Sequence, residues 1–264
     1  MGITFTEFKD QAKKILNIDL DGYKLDRVER RTKSLMRRYQ VEDFDECIDL
    51  IRHDSEFKDA YLNHFTINTS EFFRNPENFE FLESDVFPKL FEENRKVKIW
   101  SAPCSNGSEP YTLALILKEM GISSSKFEIY ATDLDHTILD TAREAEYKEN
   151  SLKNVSDKLL NKYFEESADG KTYALSSKIK RMVKFEHKDL INARFRNDWD
   201  LILSRNFFIY LTKDMKDQLI KKFTSVLNPG GYFFLGNTEY IFSPEQYGLD
   251  KIFQSFYKYQ GSDK

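Results

Sequence analysis

The chain has 264 residues, 40% of them hydrophobic and 32% charged, with a formal net charge of −4, an ordinary globular composition with material for one large domain or two smaller ones. That acidic balance argues against bulk nucleic-acid binding, and no run approaches the roughly 18 apolar residues of a membrane span or forms an apolar signal core at the start. Two cysteines, Cys47 and Cys104, have neither metal-like spacing nor the makings of a disulfide framework, which fits a reducing cytoplasm and no bound metal.

The first 75 residues read as helices. Thr4 and Glu7 have capping-box spacing, and Phe8, Ala12, Ile15 and Leu16 then share one helical face. After a break at Asp21-Gly22, a second helix carries Leu25, Val28, Leu35, Met36 and Tyr39 as its apolar stripe. Its other face holds Lys24, Arg27, Arg30, Arg31, Lys33, Arg37 and Arg38 against only Asp26 and Glu29. Such a run is either a solvated face or a docking surface for an acidic partner. An excess of five positives within fifteen residues of an acidic protein favours docking, with Arg27, Arg30, Arg31, Arg37 and Arg38 as the contacts. Phe44, Cys47, Ile48 and Ile51 suggest a third helix, and Phe57, Tyr61 and Phe65 a fourth. Residues 1–75 are therefore expected to form a helical domain and 76–264 a second one.

The segment Asn68-Thr69-Ser70-Glu71-Phe72-Phe73-Arg74 joins them, and Pro76 then opens a helix carrying Phe79, Leu82, Val86 and Phe87. Phe72 and Phe73 read as core plugs. Asn68, Ser70 and Arg74 are candidates to face a ligand, because a linker beside a nucleoside fold often lies over the cleft.

From Val97 strands and helices alternate as in a parallel sheet covered on both faces: strand 97–101, helix about 108–120, strand 127–132, helix about 135–145. The pattern stops over about 147–185. That stretch holds a helical patch at Leu159, Leu160, Tyr163 and Phe164, a turn at Ala168-Asp169-Gly170, and short strands at 172–175 and 182–185. It reads either as a small β insertion or as a long crossover. Regularity returns with a buried strand 199–204, a helix of about 212–227 and a strand at 232–236; residues 252–259 alternate as one edge strand should.

Ligands in such folds gather at the carboxyl ends of the strands. The loop 101–109, Asp133, Asp189-Leu190 and Ser204-Arg205-Asn206 are expected there. The loop has a single glycine, Gly107, and a carboxylate, Glu109, where a diphosphate would need positive potential; a sulfonium cofactor such as S-adenosylmethionine suits it better than NAD or ATP. Asp133 is placed to bind ribose hydroxyls or to cap the next helix. Arg205 could be exposed or face the cleft, and Tyr210 could reach the same cleft or pack. No histidine sits beside a serine or cysteine in a nucleophile motif.

With these residues in hand, the chain resembles the chemotaxis receptor glutamate O-methyltransferases, the CheR family, over essentially its whole length. The resemblance rests on the basic helical N-terminal region, Asn68–Arg74, Trp100-Ser101-Ala102-Pro103-Cys104-Ser105-Asn106-Gly107-Ser108-Glu109-Pro110-Tyr111, Ala131-Thr132-Asp133-Leu134-Asp135, Leu203-Ser204-Arg205-Asn206 with Ile209-Tyr210, and Pro229-Gly230-Gly231 leading to Gly236-Asn237-Thr238-Glu239. Ser108 stands where the family often has a first glutamate, and Ser204 where it usually has cysteine. The resemblance implies a Rossmann-like α/β methyltransferase domain, mostly parallel, with an all-helical N-terminal domain and a small antiparallel β insertion. It implies methyl transfer from S-adenosylmethionine to glutamates of the cytoplasmic helical bundle of methyl-accepting chemoreceptors, leaving S-adenosylhomocysteine. It also implies that Asn68, Ser70, Arg74, Glu109, Asp133, Asp189, Leu190, Arg205 and Asn206 occupy cofactor-contact positions. Arg74 and Tyr210 are then expected to line the methyl-transfer site of a cytoplasmic, monomeric enzyme without nucleic-acid contact or membrane insertion. Methylation of another protein or a small molecule, and non-catalytic sensing of the cofactor, are the competing readings.

Overall fold

The capping-box signal at the start of the chain is realised in the computed structural model, which describes residues 2–65, 70–93 and 96–261. Thr4 and Glu7 cap helix α1 (Phe5–Leu16) reciprocally. Helices α2 (Leu25–Tyr39), α3 (Phe44–His53) and α4 (Ser55–Phe65) follow and bury Phe8, Ala12, Leu35, Cys47, Ile51 and Tyr61 in a core of their own. The inner stripe of α2 is Val28, Thr32, Leu35 and Met36. Leu25 and Tyr39, expected in that stripe, stand about half exposed. Thr32 is inside because its hydroxyl has partners there, 2.8 Å from the Tyr61 hydroxyl and 3.0 Å from the Val28 carbonyl, so its burial leaves no polar group unsatisfied.

Pro76 occupies the first turn of α5 (Pro76–Phe81), which runs through a π-helical turn at Leu82–Val86 into α6 (Phe87–Glu93). The second domain then winds through β1 (Val97–Ser101), α7 (Ser108–Glu119), β2 (Phe127–Asp133) and α8 (His136–Glu144). Next come β3 (Glu146–Tyr147), α9 (Glu149–Leu152), α10 (Asp157–Tyr163), β4 (Phe164–Glu166), β5 (Tyr173–Leu175) and α11 (Ser177–Lys180). It closes with β6 (Val183–His187), β7 (Trp199–Ser204), α12 (Lys213–Thr224), β8 (Leu227–Leu235), β9 (Leu249–Phe253) and β10 (Phe256–Tyr259).

Seven strands form one sheet in the order β6-β2-β1-β7-β8-β10-β9. Pairing is parallel from β6 to β8 and antiparallel beyond. The chain leaves β1 toward β2 on one side and continues from β7 to β8 on the other. The strand order therefore reverses between β1 and β7, and a crevice opens at their carboxyl ends. β7 is buried along its whole length; its Asp200 is tolerated there because it accepts from the Lys98 N–H and the Asn228 side-chain amide, both at 2.8 Å.

Two expected strands are redrawn. The strand at 182–185 is not part of the small insertion: as β6 it pairs in parallel with β2, and the insertion's sheet is β3-β5-β4. The single edge strand at 252–259 is a hairpin that bends at Gln254, where φ is 26°, so β10 is interior and β9 forms the edge. Both misreadings have one physical origin: short apolar alternation is the same whichever sheet, or whichever neighbour, receives it. Among the described residues, no helix is long and apolar enough to cross a membrane.

Candidate active site

The crevice between β1 and β7 widens into a cleft of about 1100 Å³, its open mouth included. Ser70, Arg74, Glu109, Asp133, Asp189 and Leu190 line it, as do Arg205, Asn206 and Tyr210. These are the sequence-predicted cofactor and methyl-transfer positions except Asn68, which lies outside the described residues.

The floor is built around Asp133 at the end of β2. The Ser105 N–H donates to its Oδ2 (2.8 Å) and the Asp135 N–H to its Oδ1 (3.1 Å). Burial pushes its carboxyl up to about 6, against the pull of these backbone bonds. Asp133 is not the cap of α8. That role belongs to Asp135, which accepts from the Ile138 N–H at 3.1 Å, leaving Asp133 directed at the cleft.

The opposing wall is a buried ion pair. Arg205 lies 3.3 Å from Glu109, and the Ser101 hydroxyl donates to the other Glu109 oxygen at 2.7 Å. Arg205 also donates to the Arg74 carbonyl (2.8 Å) and the Asn75 side chain (2.9 Å), with its guanidinium over the rings of Phe79 and Phe234. One arginine thus ties α7, β7 and the linker together. It also changes the expected electrostatics. Glu109 is already neutralised, and Arg27, Arg31, Arg74 and Lys188 line the same cleft, so Glu109 does not by itself turn away a diphosphate.

Gly107 has a different function from the one its place in the loop suggests. It is left-handed (φ 83°), and a Cβ there would come within 3.0 to 3.2 Å of Ala142, Tyr111 and Phe185. These neighbours belong to α8, α7 and β6, so the glycine lets the loop pack and turn; Pro103, Cys104 and Ser105 line the cleft instead. Burial raises the Cys104 thiol well above its ordinary range, which removes it as a nucleophile.

Sequence reasoning left Glu239 unassigned. It is buried, and it accepts from the backbone N–H groups of Asn206 (2.7 Å), Gly236 (2.8 Å) and Ile209 (3.1 Å). It therefore shapes the turn that carries Asn206, itself left-handed at φ 59°, to Tyr210. A Cβ on Gly236 would sit 2.7 Å from the Glu239 carboxylate, so the Gly236–Glu239 spacing after a strand was the available signal. Helix α2 closes the cleft from the other side: the Lys24 N–H donates to the Tyr210 carbonyl (2.9 Å) and Arg27 lies 5.5 Å from the Tyr210 ring centre. The five predicted docking arginines therefore divide. Arg27 and Arg31 are half-buried in the cleft wall, Arg31 donating to the His64 carbonyl; Arg30, Arg37 and Arg38 are exposed.

Residues 68–255 match the family described as CheR methyltransferase, SAM binding domain, and residues 3–66 match CheR methyltransferase, all-alpha domain. The chain belongs to the CheR methyltransferase family. A Chemotaxis protein methyltransferase of Listeria monocytogenes is 35% identical over 251 residues, 95% of each chain. One from Borreliella burgdorferi is 32% identical over 256 residues, covering 91% of this chain and 90% of its own. Chemotaxis protein methyltransferase 1 of Pseudomonas aeruginosa is 28% identical over 256 residues, 93% of each. This CheR-family chain is an S-adenosylmethionine-dependent methyltransferase of chemotaxis. Its cleft fits that cofactor on two counts. The buried Asp133 carboxylate is available to accept from hydroxyls, and Ser105 Oγ and Arg205 Nε are buried without hydrogen-bond partners among the described residues, polar atoms that a bound ligand would satisfy.

Proposed function

We propose that this chain methylates glutamate side-chain carboxylates on the cytoplasmic helical bundle of chemoreceptors, releasing S-adenosylhomocysteine. One observation carries the reading: Arg27 and Arg31 of the basic helix line the same cleft as Asp133, Glu109 and Arg205. The helix suited to an acidic acceptor and the cradle suited to the donor thus share one cavity. Residues 1–75 act as the receptor-docking unit and 76–264 as the transfer unit, in a monomer working in the cytoplasm.

Within that cavity Asp133 accepts from the ribose hydroxyls, and Asp189 with the buried Leu190 closes the base side. Ser70, Glu109, Arg205 and Asn206 surround the remainder of the cofactor. When bound, S-adenosylmethionine supplies a methyl group on a sulfonium, which an ionised carboxylate oxygen attacks as the sulfur–carbon bond breaks. A glutamate is already ionised at neutral pH, so no general base is required, consistent with the absence of a His or Cys pair in the motifs. Arg74 and Tyr210 orient the incoming carboxylate. Burial raises the Tyr210 phenol above its ordinary value, which keeps it protonated and able to donate. Their pairing with the carboxylate must stay loose, because an interaction stronger in the ground state than in the transition state slows transfer; their contribution is in-line positioning.

The test is incubation of the protein with methyl-labelled S-adenosylmethionine and receptor-rich membranes, followed by mild base. Label released as volatile methanol identifies a carboxyl ester. Label that stays on the protein means another acceptor atom and refutes the reading.

A further inference from the structure

Two aromatic side chains stand in solvent beside the turn that presents Tyr210. Tyr240 is 62% exposed and Phe242 75%, while Ile241 between them is 6% exposed. The Ile241 N–H donates to the hydroxyl of buried Tyr257 at 3.0 Å. The loop is therefore pinned inward at Ile241, which holds its two neighbours outward, where their rings meet edge to face at 4.7 Å between centres. Adjacent exposed aromatics on a fixed backbone mark an interaction site more often than a lone exposed residue does.

Their surroundings say what they would meet. Tyr240 directly follows Glu239, whose carboxylate holds the Ile209 N–H. The Ile209 carbonyl in turn accepts from the Lys24 ammonium at 3.1 Å, and Lys24 leads into α2, whose half-exposed first residue is Leu25. Lys216 on α12 lies within electrostatic reach of both Lys24 and Glu239. Through Glu239 and Ile209 the aromatic pair is thus linked to Lys24 at the start of the basic helix α2.

We propose that Tyr240 and Phe242, with Leu25, form the apolar half of a docking surface that seats the acidic, methyl-accepting receptor helix along α2. The proposal rests on the glutamate-acceptor reading above. Charge selects the occupant: a second copy of this chain would bring an equally basic α2 against the first, whereas an acidic amphipathic helix offers carboxylates to the arginines and an apolar row to the rings. Long-range charge steers such a helix but lets it slide along its axis. Buried aromatic anchors supply the short-range energy that fixes register, and register decides which glutamate reaches Tyr210.

The experiment uses the full chain and a receptor cytoplasmic fragment, comparing wild type with the Tyr240→Ser/Phe242→Ser double variant. The expected result is a KM for the fragment raised about tenfold, the loss typical of removing a small aromatic anchor. The kcat and the calorimetric Kd for S-adenosylhomocysteine stay within about twofold, and Tyr240→Phe keeps the wild-type KM. An unchanged KM in the double variant, with wild-type turnover intact, overturns the docking surface alone. A wild-type enzyme that leaves the fragment unmethylated overturns the acceptor reading and this proposal with it. A wild-type dimer that the double variant converts to monomer in sedimentation assigns the face to a second copy and also overturns it.

Discussion

Replacing Asp133 by asparagine should move stability and cofactor affinity in opposite directions. Burial holds this carboxyl at about 6 against an ordinary 3.8. At about 1.36 kcal/mol per tenfold change in proton affinity, keeping it ionised in the folded protein costs about 3 kcal/mol. The sign follows from proton counting. Between about 3.8 and 6 the folded state binds the proton that the unfolded state has released, so this group's contribution falls as pH rises through that window, and the penalty is complete above it. An asparagine carries no charge and its oxygen can still accept from the Ser105 or Asp135 N–H, but its amide nitrogen gains no acceptor there. Set against the roughly 1 to 3 kcal/mol cost of leaving one of those N–H groups facing the amide nitrogen, the net gain for the ligand-free protein near pH 7 should be roughly 0 to 2 kcal/mol, shrinking toward acid pH. The same change removes a charged acceptor from the ribose hydroxyls. Hydrogen bonds to charged groups are worth about 1.5 to 3 kcal/mol, so cofactor binding should weaken by roughly ten- to a hundredfold. Urea denaturation at several pH values gives the first quantity, and calorimetry with S-adenosylhomocysteine the second. A variant that is less stable yet binds the cofactor as tightly as wild type would show that Asp133 braces the Ser105 and Asp135 loops and does not serve the ligand.

Three further outcomes follow from the cleft. Arg74→Ala should leave cofactor affinity within a few fold and lower kcat by roughly one to two orders of magnitude, the signature of lost transition-state positioning; loss of calorimetric binding in a folded variant would make Arg74 a cofactor ligand instead. Reversing the exposed Arg30, Arg37 and Arg38 to glutamate should raise the receptor KM and reduce its salt dependence without touching cofactor affinity; steady-state kinetics with unchanged receptor parameters would remove the docking role. Glu239→Gln places an amide nitrogen against one of three inward-pointing N–H groups. It should cost about 1 to 3 kcal/mol of stability and lower kcat by shifting Tyr210. A stability loss with unaltered kcat would limit Glu239 to a structural role.

Much of the molecule was determined locally. The Thr4–Glu7 cap, the proline opening α5 and the buried run of β7 are set by residues within one turn or one strand of each other, and local chemistry suffices to read them. The cofactor cradle was legible for the same reason: in a parallel sheet, the residues just past each strand end must lie on one edge. What remained were decisions between distant parts of the chain. β6 joins the main sheet because β2 offers it an edge, and the final alternation splits because β8 accepts β10 while leaving β9 outside. Glu109 meets Arg205 across 96 positions, which turns an expected lone carboxylate into half of a neutral pair. Leu25 and Tyr39 have helical spacing for burial yet stay about half exposed, Tyr39 with one side of its ring against Phe57, and Arg27 and Arg31 turn inward because Tyr210 and His64 are there to receive them. Periodicity tells which side of an element is apolar; the identity of the partner that covers or charges that side is a property of the folded chain alone.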